Sequence, residues 1–176
     1  MNNHNKHPLP ESYWVIPGKL IAGAYPASKY FEEQTRQKLD TLLTAGVSFF
    51  LNLTREGEMP PYEQELGEIA GWLEKPAEHR RMTIPDMTTP DPAYMAAILD
   101  TIDEAVKDGK VVYVHCYAGI GRTGTVVGCY LTRHGMDGAE ALNTIALLRS
   151  STPNGWVRSP ETDEQVEYVL NWKKGM

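Results

Sequence analysis

Val111-Val112-Tyr113-Val114-His115, followed directly by Cys116-Tyr117-Ala118-Gly119-Ile120-Gly121-Arg122-Thr123-Gly124, is the stretch that decides how this chain folds. The first five residues form a continuous β-prone run, the pattern of a strand buried on both faces in the middle of a parallel sheet. Small residues then carry the chain through a loop. Arg122 to His134 follows as a predicted helix that ends at Gly135.

Upstream, the same alternation recurs. Val47 to Leu53 (VSFFLNL) is a second apolar run of strand length, and a further strand is expected near Arg81 to Ile84. Tyr13 to Ile16 and Leu20 to Ala22 read as short strands around a Pro17-Gly18 turn. Between them, Ser28 is placed to cap a helix that buries Phe31, Leu39, Leu42 and Leu43 and stops at Gly46. A second helix is expected from Tyr62 to about Leu73. Asp91 caps a third, with Pro92 at its first position and Met95, Ile98, Leu99, Ile102 and Val106 at helical spacing. Downstream, an Asp137-x-x-Glu140 capping pattern opens Ala139 to Arg149, and Ser159 precedes a helix over Pro160 to Lys173.

Strands that alternate with helices and then give way to helices alone predict an α/β domain, with a central, mainly parallel sheet flanked by helices and a helical C-terminal third. No repeat or Ser/Gly linker divides it, so residues 11–176 read as one domain behind a polar, flexible tail at 1–10. That tail lacks the apolar core of a secretory signal.

Composition sets the outer bounds. The chain has 176 residues, 41% apolar and 23% charged, which excludes a disordered or fibrous protein. No apolar stretch is long enough to span a bilayer. Two cysteines cannot form a disulfide framework, so a reducing cytoplasm is the expected location. With 17 Lys and Arg against 23 Asp and Glu, the net charge of −6 argues against nucleic acid or anionic membrane as partners. An anionic ligand would have to be held by local geometry.

In parallel sheets, ligands sit beyond the carboxyl ends of the strands. Three loops leave those ends: Thr54–Pro61, Pro85–Pro90 and Cys116–Gly121. The last suits a tetrahedral dianion. Gly119 and Gly121 let the backbone N–H groups of Tyr117 to Gly121 converge, and a helix N-terminus adds its partial positive charge. Arg122 can grip two oxygens bidentately. In such a cup the Cys116 thiol should lose its proton readily and act as a nucleophile. A core thiol beside a solvated arginine, the bland alternative, needs neither the glycines nor an arginine at the loop's end. Cys129, further along the same helix, has no acid, base or arginine nearby and reads as packing.

The run His115-Cys116-x-x-Gly119-x-x-Arg122-Thr123 resembles the signature of the cysteine-based protein tyrosine phosphatase superfamily. Ala118-Gly119-x-Gly121-Arg122-Thr123-Gly124 is similar to its dual-specificity branch. Trp14-x-x-Pro17-Gly18-x-Leu20-x-Ala22-Gly23, Leu51-Asn52-Leu53-Thr54 and Ser159 to Gln165 resemble a subgroup of small bacterial-type members.

The resemblance implies a dual-specificity phosphatase-like fold and hydrolysis of phosphomonoesters through a cysteinyl-phosphate, with no metal and no other cofactor. Of the carboxylates on strand-end loops, Glu56, Glu58, Asp86 and Asp91, the resemblance selects Asp86. It lies in Ile84-Pro85-Asp86-Met87-Thr88-Thr89-Pro90, which resembles the Pro-Asp general-acid loop of this family; an ordinary turn aspartate is the alternative. Thr123 is similar to the family hydroxyl that stabilises the departing thiolate. His115 resembles the residue that orients the loop and lowers the thiol pKa. Gln165 resembles a glutamine that some relatives use near the attacking water, set against the reading of a surface glutamine.

The implied substrate is a phosphorylated protein, phosphotyrosine foremost, handled by a monomer. A small phosphate ester (metabolite, nucleotide, RNA end or phosphoinositide) and a catalytically weak phospho-binding module are the alternatives. Tyr117 and Ile120, the variable loop positions, are uncharged, which weighs against polyphosphorylated ligands. Arg55, Arg80, Arg81, Arg149 and Arg158 are candidates for a positive rim.

Overall fold

In the computed structural model, which describes residues 7–176, the chain runs through β1 (Ser12–Ile16), β2 (Leu20–Gly23), α1 (Glu32–Thr44), β3 (Val47–Asn52), α2 (Glu63–Trp72) and β4 (Glu78–Arg81). It continues through α3 (Pro92–Lys107), β5 (Val111–His115), α4 (Gly121–Arg133), α5 (Gly138–Arg149) and α6 (Asp163–Asn171). The strands form one sheet in the order β1-β2-β5-β3-β4. β5 lies at its centre, parallel to both β2 and β3. β4 is parallel to β3 at one edge, and β1 alone is antiparallel, paired to β2 across the Pro17-Gly18 turn. The mainly parallel α/β sheet is therefore as expected.

Period-two alternation explains how both faces are covered. Tyr13, Leu20, Ala22, Phe49, Leu51, Val112 and Val114 face the layer built from α3 to α6. Trp14, Ile21, Val47, Phe50 and Tyr113 face α1 and α2. Full burial of each aliphatic side chain contributes about 1.5–3 kcal/mol. Truncating one such as Leu99, which has no exposed surface, should cost roughly 2–5 kcal/mol.

α3 begins as its sequence predicts, with Pro92 at the first turn and the Asp91 side chain accepting the Tyr94 N–H. α5 carries the expected reciprocal Asp137–Glu140 capping box. Three element boundaries depart from the sequence reading. β4 covers Glu78–Arg81, with Arg81 at its end where a strand was expected to start; it is a polar edge strand whose residues alternate exposed and half-buried, so it carries no apolar signal. α1 starts at Glu32, because the Ser28 hydroxyl accepts the amides of Tyr30 and Phe31 and holds them in a turn, leaving Phe31 59% exposed rather than in the core. α6 is capped by Thr162 in a box with Gln165, while Ser159 donates instead to the Ile120 carbonyl. Of the expected tail, residues 1–6 lie outside the described residues. Leu9 is buried and tied to Ser12 by both backbone and side chain.

Candidate active site

The loops after β3, β4 and β5 meet at one guanidinium. Arg122, in the first turn of α4, is 1% exposed although it is the largest fully buried side chain among the described residues. Its Nη1 donates to Glu58 Oε2 at 2.9 Å and to the Ile84 carbonyl at 3.2 Å. Its Nη2 donates to Glu58 Oε1 at 2.5 Å and lies 3.2 Å from Asp86 Oδ1. The fork is thus clamped from the β3 loop by Glu58 and from the β4 loop by Asp86. Arg122 Nε and the adjacent Thr123 Oγ1 are buried without a hydrogen-bond partner among the described residues. Buried donors are rarely left unpaired, because each costs about 1–3 kcal/mol. These two donors stand on adjacent residues in the first turn of α4, directly after the cysteine loop.

Loop 116–120 is wedged from behind. The Tyr117 carbonyl accepts the Tyr25 N–H at 2.9 Å, and the His115 carbonyl accepts the Leu53 N–H at 2.9 Å. Gly119 takes φ +72°, and a Cβ there would lie 2.5 Å from the Gly23 carbonyl carbon, so only glycine fits. Gly124, one turn into α4, lies where a Cβ would strike the Ser159 hydroxyl that holds the Ile120 carbonyl. Cys116 is left almost fully buried at the base of this loop. Cys129 is buried in the α3–α6 layer, where desolvation pushes its thiol pKa far up, in keeping with packing.

His115 is fully buried, and burial drives its pKa down to about 3. It is therefore neutral near pH 7. Nδ1 lies 3.2 Å from the Cys116 carbonyl and Nε2 lies 2.7 Å from the Tyr62 hydroxyl. Only the tautomer with its proton on Nδ1 satisfies both, with Tyr62 donating to Nε2. A neutral ring orients the loop through the Cys116 carbonyl. Tyr62, buried at the start of α2, also meets Tyr25 and His79 edge-on at 5.3 Å each. Tyr25 in turn donates to the Pro60 carbonyl at 2.9 Å. The Glu58 loop and the cysteine loop thus share one aromatic and hydrogen-bonded support.

Glu58 was visible in the sequence as one of four strand-end carboxylates, but nothing local distinguished it. The Arg122 guanidinium is the main reason its carboxyl pKa lies below the ordinary 4.5. Asp86 stands on a turn in which the Thr88 N–H and hydroxyl both donate to the Pro85 carbonyl and Met87 adopts φ +62°. This turn is moored to α6: Gln165 Nε2 donates to the Thr88 carbonyl at 3.3 Å, and the Thr89 hydroxyl donates to Glu164 at 2.6 Å. Gln165 is buried rather than on the surface. Its Oε1 caps α6 through the Glu161 and Thr162 amides and lies 3.1 Å from where a Cβ on Gly121 would be.

Four of the five candidate rim arginines have other work. Arg81 ties down the β3 loop through Thr54, Arg55 and Glu63. Arg80 stacks on Phe49, and Arg158 pairs with Asp163. Arg149 is buried behind the loop, donating to the Val157 and Asn154 carbonyls. Arg55 remains exposed at a cleft of about 500 Å³ that it shares with Glu56, Glu58 and Asp86.

A mainly parallel α/β sheet that brings a cysteine loop, a buried arginine fork and two carboxylates together at the carboxyl ends of its strands defines the class: a cysteine–arginine α/β domain. The chain belongs to the family described as the Swiss Army Knife protein DSP-PTPase phosphatase domain, whose model matches residues 10–166. It is 29% identical over 149 residues to the mouse dual specificity protein phosphatase CDC14B, covering 81% of this chain and 28% of that protein. It is 31% identical over 153 residues to mouse protein tyrosine phosphatase domain-containing protein 1, covering 81% of this chain and 19% of that one. This chain thus spans less than a third of the length of either relative. Among solved structures it is similar to Tk-PTP in its active form, with a TM-score of 0.72, 27% identity, and 93% and 97% of the two chains covered. It shares its fold, at 17% identity and a TM-score of 0.68, with P. aeruginosa TpbA in complex with pTyr, covering 94% and 86% of the two chains.

Proposed function

We propose that this protein hydrolyses phosphomonoesters of proteins, phosphotyrosine foremost, through a cysteinyl-phosphate. The observation that carries this reading is the buried Arg122 fork at the end of the Cys116 loop, whose Nε, like the adjacent Thr123 hydroxyl, has no hydrogen-bond partner among the described residues.

The Cys116 thiolate attacks phosphorus while the backbone N–H groups of loop 116–121 and Arg122 bind the equatorial oxygens. Asp86, in its protonated form, delivers its proton to the leaving oxygen. It then takes a proton from the water that cleaves the S–P bond, returning phosphate and the thiolate. Thr123 donates to the sulfur as it leaves. His115 holds the Cys116 carbonyl, and Glu58 holds the guanidinium in place. Gln165 keeps the acid loop seated against α6 and lies against Gly121 of the cysteine loop, where the resemblance gives it a place near the attacking water.

The carboxylates of Glu56, Glu58 and Asp86 around the cup favour a singly phosphorylated group over phosphoinositides and other polyanions. The relatives' names, as protein tyrosine and dual specificity phosphatases, support the same substrate class.

The test is p-nitrophenyl phosphate hydrolysis in reductant and chelator, wild type against Cys116→Ser. Turnover that vanishes in the variant supports the reading. Turnover that survives it removes Cys116 as the nucleophile.

A further inference from the structure

The segment between β2 and α1 forms a ledge against Tyr117 of the cysteine loop that the chemistry above does not use. Its backbone is held in place: the Tyr25 N–H donates to the Tyr117 carbonyl of the cysteine loop. The Ser28 N–H donates to the Thr35 hydroxyl at 2.9 Å, and the Ser28 hydroxyl accepts the amides of Tyr30 and Phe31. From this built turn three large side chains are presented to solvent. Lys29 Nζ lies over the Tyr117 ring, 5.0 Å from its centroid, and Tyr117 follows the nucleophile directly. Tyr30 is 85% exposed, Phe31 is 59% exposed, and their rings meet at 6.5 Å.

Exposed aromatics on a rigid turn carry a solvation cost and mark contact surfaces. Among the described residues no carboxylate lies within ion-pair distance of Lys29, a property it shares with Lys19, Lys38, Lys107 and Arg55; its seat over the Tyr117 ring is what sets it apart. Lys29 is an unneutralised cation, fixed over an aromatic ring beside the nucleophile, in a chain of net charge −6.

We propose that Lys29 and Tyr117 form a subsite that reads an acidic residue flanking the phosphorylated one in a protein substrate, with Tyr30 and Phe31 packing against the peptide beyond it. This rests on the phosphatase reading and deepens it. A flanking carboxylate would meet Lys29 while the phosphoryl group fills the cup, giving an electrostatic preference that steers one peptide over another. The exposed Glu32 and Glu33 that open α1 beside the aromatics confine the acidic preference to the one position next to Lys29 and disfavour a continuous anionic lipid surface.

The test compares two synthetic peptides with a central phosphotyrosine, one flanked by Glu and the other by Lys. Affinity is measured in a Cys116→Ser background, and kcat/KM in the otherwise native chain relative to free phosphotyrosine. At low salt the acidic peptide should be favoured roughly fivefold, the scale of one exposed charge pair. Lys29→Glu should reverse the order, and 0.5 M NaCl should erase the preference. An equal acidic-to-basic ratio in wild type and Lys29→Glu overturns the subsite while leaving the phosphatase reading intact. Failure of the Cys116→Ser protein to bind either peptide overturns both. Sedimentation with phosphatidylserine vesicles that is lost in Lys29→Glu would assign the ledge to a lipid surface and overturn the peptide proposal.

Discussion

Glu58 and Arg122, 64 residues apart in the chain, meet in a two-point ion pair at 2.5 and 2.9 Å, and the arginine end of that pair is almost wholly buried. The pair occupies both terminal nitrogens of the fork and leaves Nε without a hydrogen-bond partner among the described residues. Glu58 therefore determines which edge of Arg122 a phosphoryl group meets, and it keeps a long side chain from spending its entropy elsewhere.

Glu58→Gln should raise KM for an aryl phosphate several-fold and lower stability by roughly 1–3 kcal/mol, read as a fall in Tm. Removing one partner of a buried pair costs more, but the Glu58 side chain is 23% exposed and partly solvated. Because the carboxyl pKa is depressed in the folded state, its contribution is complete above the ordinary 4.5 and is lost as pH falls below that value. Acid unfolding of Glu58→Gln should therefore be shallower over that range than that of wild type. Identical acid transitions would show that the ion pair contributes nothing to the fold.

His115 sets a second pH dependence. Its pKa is driven to about 3 in the fold against 6.5 in the unfolded chain, so the unfolded state binds the extra proton between these values. Stability should fall as pH drops from about 6.5 toward 3, and His115→Gln should remove that slope in urea titrations. The activity profile should show no step from this histidine between pH 5 and 8, since it stays neutral there.

Asp86→Asn should slow turnover by about 10²–10⁴-fold, most for esters with poor leaving groups, and should flatten the basic limb of the pH–rate profile. That limb reports loss of the proton Asp86 must donate. An unchanged profile would transfer the acid role to Glu56, the carboxylate at the cleft that is not held by Arg122.

Gly119→Ala should abolish turnover and cost at least about 1–2 kcal/mol of stability. The residue sits at φ +72°, and its added methyl would press on the Gly23 backbone, which cannot give way as a side-chain end can. Near-wild-type activity in this variant would mean that the loop reaches its working shape by another backbone path.

Tyr62→Phe removes the donor to His115 Nε2 and leaves a buried acceptor unpaired, a cost of about 1–3 kcal/mol. A lowered Tm with a smaller fall in kcat would fit a support role. A Tm equal to that of wild type would remove Tyr62 from the loop's support.

The amino-acid sequence alone determined the local decisions of this protein. VVYVH buries as the central strand because a β-prone, valine-rich run without Asp, Glu, Lys or Arg has no strongly charged face to expose. Asp91-Pro92 and Asp137-x-x-Glu140 start helices because their side chains satisfy orphan amides within four residues. Small residues between Cys116 and Arg122 are required because the loop's amides must converge. Each of these rests on neighbours in the chain, as does the placing of Asp86 beside a proline.

Tertiary structure alone decided what depends on distant partners. Glu58, not distinguished from Glu56 by any local signal, is selected by where the β3 loop meets α4. Gln165 is drawn into the interior because α6 docks against the acid loop. His115 loses its charge because Tyr62, Tyr25 and His79 surround it. Phe31, apolar and helically spaced, is left in solvent because the Ser28 hydroxyl holds the Tyr30 and Phe31 amides in a turn just before α1 begins at Glu32. Pairings of this kind are set by the packing of β-α units across a sheet, which no window of neighbouring residues contains.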